Sequence, residues 1–254
     1  MQADLISCDQ LNHYSKQNNQ ANNLNRGKYN YNLLEIAYLK QTCKNAKIKK
    51  KIIGFKAGLT SIPAQEKFNS RAPIFGVLIK ENQLSSRNVY IDNNIHLLEA
   101  ELAYKVKNDI NHLHEINVDL SQLVYEVAPV VEVAKIISND MNEIKLDEIV
   151  ENNAGVYRIR LGVFVPLDNI NINQIKSEIT FKGKLIETGI SNNPLRDQRS
   201  AIKWLIKKAL LEGYSIKKDT ILSTGAITNP LVLDEGDYVV DFGVLGSLNL
   251  SVDR

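Results

Sequence analysis

Apolar residues recur along this chain in short runs, and the spacing inside each run predicts its element. From Tyr31 to Lys47, Leu33, Leu34, Ala37, Tyr38 and Thr42 recur at helical intervals, with Asn32 placed to cap that helix. Lys49 to Lys56 reads as a strand whose apolar positions are Ile52, Ile53 and Phe55. Gly58 breaks the strand, and Ser61 to Phe68 has the serine cap and early proline of a short helix. Apolar runs follow at Ile74–Ile79, Ile95–Val106 and Gln122–Val133. Within the last of these, Ser121–Val131 is expected to be helical and to lead into a strand around Glu132. Ile136 to Asn153 is polar, as a connecting helix and loop would be. Val156–Val165 alternates like a strand, and Ile175–Phe181 with Lys184–Glu187 forms a hairpin around Lys182-Gly183. Ile190 to Arg199 reads as loop. Ser200–Glu212 is the clearest helix, stopped by Gly213. Short strands close the chain at Thr220–Ser223, Tyr238–Phe242 and Ser247–Val252, with a turn at Asp234–Asp237. Ahead of all this, Met1 to Asn30 is rich in Asn and Gln, and only Leu5, Ile6 and Leu11 suggest a short helix. Strands dominate and helices are interspersed, which predicts a mixed α+β fold.

Two places break the apolar pattern with charge. In Leu97–Val106, Glu99 and Glu101 lie two apart in a strand-like run, so both side chains project from one face and Leu98, Ala100 and Leu102 from the other. Carboxylates held that close repel one another. The pair is either a solvated strand face or an oxygen site for a hard divalent cation such as Mg2+ or Mn2+. A third acid, Glu132, interrupts Val127–Ala134, where a lone carboxylate must be exposed, paired or metal-bound. Upstream, Lys56 stands between Gly54 and Gly58, which suggests close backbone packing around it.

Composition narrows the field. At 254 residues, 44% hydrophobic and 24% charged, the chain has the balance of a globular protein with a sizeable core. A formal charge of +2 gives no reason to expect a nucleic-acid or membrane partner. The lysine clusters at Lys47–Lys51 and Lys203–Lys208 read as solvated faces. Cys8 and Cys43 are too few for a disulfide framework, and with no signal-like segment or membrane-length apolar run the expected setting is a reducing cytoplasm. His112 and His114, with His96, offer a rival zinc site, but the stretch is polar and the histidines are expected at the surface.

These pieces, in their order, resemble the fumarylacetoacetate hydrolase superfamily, and within it the 2-hydroxypentadienoate hydratase and 4-oxalocrotonate decarboxylase branch. The resemblance rests on Gly54-Phe55-Lys56-Ala57-Gly58-Leu59-Thr60, Pro73-Ile74-Phe75-Gly76, Glu99-x-Glu101, Pro129 followed by Glu132, and the later Thr224-Gly225-Ala226 and Phe242–Ser247. It runs from about Tyr31 to the C-terminus. It implies a rolled mixed β-sheet behind a small N-terminal helical region, with residues 1–48 as arm and helix and 49–254 as the catalytic unit. It also implies a homo-oligomer, Mg2+ or Mn2+ held by Glu99, Glu101 and Glu132, and Lys56 beside a small 2-hydroxy-dienoate or 2-oxo-enoate acid. Phe75, Ser223 and Thr224 are the further candidates for substrate contact.

The chain also departs from that pattern. Ile74 stands where the branch has an acid beside the lysine. Glu151-Asn152-Asn153 replaces an Asp-Asn pair, and Val133-Ala134-Lys135-Ile136-Ile137 lacks the Ser-Arg that usually follows the third acid. Leu195-Arg196-Asp197-Gln198 replaces Leu-Gly-His-Pro. A hydratase is therefore the first expectation. A decarboxylase of related 2-oxo dicarboxylic acids, a hydrolase of acylpyruvates and a non-catalytic homologue are the alternatives.

Overall fold

The computed structural model describes Cys8 and residues 32–47, 50–140 and 142–254; Leu5, Ile6 and Leu11, on which the short N-terminal helix is expected, lie outside the described residues. Helix α1 (Leu33–Lys47) opens on a reciprocal cap. Glu35 N–H donates to Asn32 Oδ1 at 3.0 Å, and Asn32 N–H donates to Glu35 Oε2 at 2.8 Å. Strand β1 (Ile52–Gly58) follows, then α2 (Ile62–Lys67), whose Ala64 N–H donates to Ser61 Oγ. The chain continues through β2 (Ile74–Ile79), β3 (Asn88–Tyr90), β4 (Ile95–Val106), the single turn α3 (Leu120–Leu123) and β5 (Val124–Ile136). After α4 (Leu146–Glu151) come β6 (Val156–Leu161), β7 (Val165–Pro166), β8 (Lys176–Phe181) and β9 (Lys184–Ile190). Helix α5 (Gln198–Leu211) precedes β10 (Ile221–Ser223), β11 (Leu231–Val232), β12 (Gly236–Asp241) and β13 (Ser247–Asp253).

The expected α+β fold with a rolled mixed sheet is what these elements build. One sheet runs β2-β1-β10-β4-β5-β6, with β11 added beside β4 and β7 beside β5; the other runs β3-β13-β12-β8-β9. The β1–β10 and β13–β3 pairs are parallel and the rest antiparallel. One face of the larger sheet carries Phe55, Phe75, Leu98, Leu102 and Leu222 into the main core, where α5 covers it with Ala201, Ile202, Leu205, Ile206 and Ala209. α1 seals the sheet end: Gln41 Nε2 donates to the carbonyls of Phe75 (2.8 Å) and Val150 (2.9 Å).

Three expectations are corrected. Ser121–Val131 is not a helix: after one turn the chain is already β5 at Val124. Leu123, Val124, Val127, Ala128 and Val131 fall at helix-like intervals, but they do so because β5 is buried on both faces and shows no alternation. The stretch from Ile190 to Arg199 is only partly loop, since α5 begins at Gln198, two residues before the expected start. Cys8 and Cys43 are joined by a disulfide, with Cα atoms 5.6 Å apart; nothing in a 35-residue separation announces that proximity. Among the described residues no helix is long and apolar enough to cross a membrane.

Candidate active site

The other face of the larger sheet is where the charges gather. β4 and β5 pair antiparallel with Glu99 directly opposite Glu132 and Glu101 opposite Val130. Alternation along each strand then brings Glu99, Glu101 and Glu132 to one face, as cross-strand and diagonal neighbours. Carboxylate oxygens of the three lie within 4.8 Å of one another. The solvated-face alternative fails here: Glu101 and Glu132 are 0% exposed and Glu99 9%.

Lys56 completes the cluster from β1. In a flat sheet the three strand steps from β1 through β10 and β4 to β5 would span about 14 Å. Yet Lys56 Nζ is 3.0 Å from Glu132 Oε1. The sheet curls, and the inside of the curl is the site. Glycine makes room for this: a Cβ at Gly54 would fall 2.1 Å from the Ile221 carbonyl oxygen of β10, and one at Gly58 would fall 3.0 Å from Ile74 Cγ1 and 3.5 Å from Lys56 Nζ. Ile74 and Lys56 thus flank the same point beside Gly58, and both line the same cavity.

The electrostatics follow from burial. Burial alone would lower the Lys56 amine, but the charges of Glu132, Glu99 and Glu101 outweigh it and hold the lysine protonated beyond its ordinary range. Burial raises Glu99 above the usual carboxylate range; Lys56 opposes the shift and Glu132 reinforces it. Glu101 is raised further, by burial and then by repulsion from Glu132 and Glu99. The Ser223 hydroxyl donates to Glu101 Oε2. Glu101 Oε1 and both oxygens of Glu132 receive no well-directed hydrogen bond from the described residues. Buried oxygens in that state are costly unless something binds them. Once ionised, three carboxylates against one ammonium leave two negative charges in excess, the charge of one divalent cation. An all-oxygen donor set suits Mg2+ or Mn2+, so the residues fit such an ion.

The remaining candidates fall elsewhere. Phe75 points to the opposite face of β2, fully buried and stacked on Phe55 at 5.3 Å, so it is a core residue and does not line the site. Ser223 borders the cluster, but its hydroxyl is engaged by Glu101. The Thr224 N–H donates to the Leu102 carbonyl, and its hydroxyl lies within hydrogen-bond reach of Leu102 O and of Gln198 Oε1, which leaves neither group free for a ligand. The histidines do not form a metal group among the described residues. His112 and His114 are exposed and stacked on each other, whereas His96, contrary to expectation, is buried against Tyr157.

A cavity of about 280 Å³ opens from Lys56 and Glu99, walled by Leu59, Phe68, Ile74, Ile136, Ile144 and Ile149. The sequence reading missed most of this wall. Phe68 follows a short helix, and Ile144 and Ile149 lie in a polar stretch; only the curl of the sheet brings them opposite the acids. The only signal was the apolar residues Ile144, Leu146, Ile149 and Val150 surviving in a largely polar connection.

No protein-family model matches the chain. It is 22% identical over 191 residues to a 2-keto-4-pentenoate hydratase of Paraburkholderia xenovorans (strain LB400), covering 74% of this chain and 71% of that one. Its structure resembles that of 4-oxalocrotonate decarboxylase from Pseudomonas putida G7, complexed with magnesium and adipate. The TM-score is 0.73 at 23% identity, over 87% of this chain and 85% of the other. It also resembles fumarylpyruvate hydrolase from Pseudomonas aeruginosa in complex with Mn2+ and pyruvate, with a TM-score of 0.58 at 12% identity over 78% and 88% of the two chains. Named relatives, shared curled-sheet fold and the ordered sequence blocks agree: the chain has the fold of the fumarylacetoacetate hydrolase family and is similar to 2-keto-4-pentenoate hydratases and 4-oxalocrotonate decarboxylases.

Proposed function

We propose that the protein is a divalent-metal-dependent hydratase of small 2-hydroxy-dienoate acids and their 2-oxo-enoate tautomers. The observation that carries this is the buried trio Glu99, Glu101 and Glu132, in which Glu132 Oε1 pairs with Lys56 while Glu101 Oε1 and Glu132 Oε2 have no partner among the described residues, beside a small cavity lined by Glu99 and Lys56. In this reading the trio holds Mg2+ or Mn2+, and the hydratase and decarboxylase relatives support it. When bound, such an ion would supply Lewis acidity toward the carboxylate and 2-oxygen of the substrate.

The protein's own groups do the rest. Glu132 and its neighbours keep Lys56 charged, so the ammonium can neutralise the substrate carboxylate; with the charge of the acids taken up by a bound cation, their hold on the proton would loosen and the amine could take part in proton transfer. Ketonisation moves the proton of the 2-hydroxyl to the terminal carbon of the diene, giving a conjugated 2-oxo-3-enoate. Water then adds across that double bond, its hydroxyl to C4 and its proton to C3. Ser223 acts as a positioning residue, fixing the rotamer of Glu101 through its hydroxyl.

The test is a panel of 2-hydroxypentadienoate-type acids with purified protein and Mg2+ or Mn2+, followed by loss of dienol absorbance. No turnover of any member would sink the proposal. Scoring the same reactions for CO2 release separates hydratase from decarboxylase. Ile74, an aliphatic side chain on the same cavity lining as the lysine where an acid would assist proton transfer, favours a second reading: a homologue that binds such acids without turning them over. Binding of a 2-oxo acid with no reaction would select it. A homo-oligomer completes the proposal, and light scattering that finds only the 28.6 kDa species would remove that part.

A further inference from the structure

The cavity beside the acids is built asymmetrically. The end marked by the nearly buried Lys56 and Glu99 is ionic. Away from that end its walls are hydrocarbon: Leu59 and Ile74 on one side, Phe68 from the end of α2, and Ile144 and Ile149 from the α4 segment. Among the described residues the only other charged group on its lining is Lys67, an exposed side chain whose amine lies 5.7 Å from the centre of the Phe68 ring. Ser61 and Asn229 are the neutral polar residues on the lining.

Two wall residues, Leu59 (φ 53°) and Ala154 (φ 54°), hold left-handed backbone conformations that side-chain-bearing residues seldom adopt. Such strain persists where surrounding structure over-determines it, often at ligand sites. Leu59 is pinned by Gln65 Nε2, which donates to its carbonyl at 3.0 Å. The wall is therefore held in place. At about 280 Å³ the cavity lies near the lower end for small-molecule sites. A short chain fits that size, and a bulky ring system does not.

We infer that this cavity selects monocarboxylates: 2-oxo or 2-hydroxy acids whose tail beyond C3 is a short hydrocarbon chain, with a second carboxylate in the tail disfavoured. The inference rests on the functional reading above, since the ionic end must take the 2-oxo acid head. The physical reason is desolvation. A tail carboxylate against Ile74, Phe68 and Ile149 would lose its water with no buried donor to replace it, whereas each methylene placed there gains from leaving water. Affinity should rise about four-fold per added methylene until the chain reaches the mouth.

The experiment is calorimetric titration of the Mg2+-loaded protein with 2-oxobutanoate, 2-oxopentanoate, 2-oxohexanoate and the diacid 2-oxohexanedioate. The expected result is a steady gain along the monoacids, with the diacid binding at least ten-fold more weakly than 2-oxohexanoate. Two variants at the half-buried part of the wall locate the effect. Phe68→Ala should flatten the gain for the longer monoacids and leave 2-oxobutanoate nearly unchanged. Ile144→Arg should shift the diacid-to-monoacid ratio about 10–100-fold toward the diacid, as a charge-assisted hydrogen bond would. Thermal melts establish that each variant is folded. A flat series, or a diacid that binds as well as 2-oxohexanoate, overturns the inference while leaving the functional reading intact. Failure of every 2-oxo acid to bind overturns the functional reading and the inference with it.

Discussion

The two faces of β4 handle buried polarity in opposite ways. On one face Tyr104 donates to Gln198 Oε1 at 2.9 Å, the Thr224 hydroxyl lies 2.7 Å from the same oxygen, and the Gln198 amide nitrogen donates to the Ser191 carbonyl. Every member is neutral and partnered. On the other face, three residues earlier in the chain, Glu101 joins Glu99, Glu132 and Lys56 in a charged group in which Glu101 Oε1 and Glu132 Oε2 have no partner among the described residues. Both clusters are fully buried, so burial does not distinguish them. Closure does. A satisfied network fixes packing and specifies the fold. A charged cluster left open raises the free energy of the protein by itself, and that cost is recovered only when a ligand arrives. Under the proposed function, the contrast puts Gln198 with structure and the acids with function.

Four predictions can break or sharpen that contrast. The largest concerns the open cluster. Glu101→Gln should lower metal affinity by more than the roughly 10–100-fold typical of losing an outer partner of a metal ligand. It should leave the thermal midpoint of the metal-free protein unchanged or raised, because it removes one of three repelling carboxylates. A melt that collapses instead would make the cluster structural. Next is Lys56→Met. Turnover should fall by about 10²–10⁴-fold, the usual worth of a positioned proton carrier, while metal binding stays within a few-fold. Wild-type rates in that variant would reduce the lysine to a packing role.

The third prediction is the mirror image on the closed face. Gln198→Leu should cost roughly 1–3 kcal/mol of stability, because it strands the Tyr104 hydroxyl and the Ser191 carbonyl, and should leave metal affinity unaltered. Urea unfolding and a metal titration on the same preparation check both halves. Loss of metal binding without loss of stability would reverse the assignment of the two faces.

The smallest effect is in pH. Burial first, and repulsion from the neighbouring carboxylates with it, raises Glu99 and Glu101 above their unfolded values against the opposing charge of Lys56. Between the unfolded value and the raised folded value, the metal-free folded protein holds protons that the unfolded chain has released. Stability of the metal-free form should therefore decline as pH rises through that window. Metal binding releases those protons and cancels the repulsion. The gain in melting temperature from saturating Mg2+ should thus be larger at about pH 8 than at about pH 5.5. A gain that is flat across this range would show that the acids are already ionised without the ion.

How much of this was legible in the sequence depends on the distance over which each feature is encoded. Glu99-x-Glu101 was readable because period-two alternation is local. Glycine on both sides of Lys56 was readable too, and Gly54 and Gly58 prove to be the positions where β10 and Ile74 press closest. Register is not local: nothing in the chain states that Glu132 lies opposite Glu99. The closed network was missed for the same reason, since Tyr104 and Gln198 are 94 residues apart. Phe75 was misplaced by its neighbour: one residue from Ile74 along β2, it points to the opposite face. The helix expected over Ser121–Val131 failed because a strand buried on both faces carries no polar alternation to mark it.

The central claim is that the open cluster is a divalent-cation site. Its most direct test is titration of Mn2+ into the wild-type protein and into Glu132→Gln, followed by calorimetry and by loss of the free-ion electron paramagnetic resonance signal. The expected result is one site per chain with micromolar-to-millimolar affinity in the wild type and none over that range in the variant, with both proteins folded. A folded wild-type protein that leaves the Mn2+ signal unchanged, or a variant that binds as the wild type does, would contradict the account.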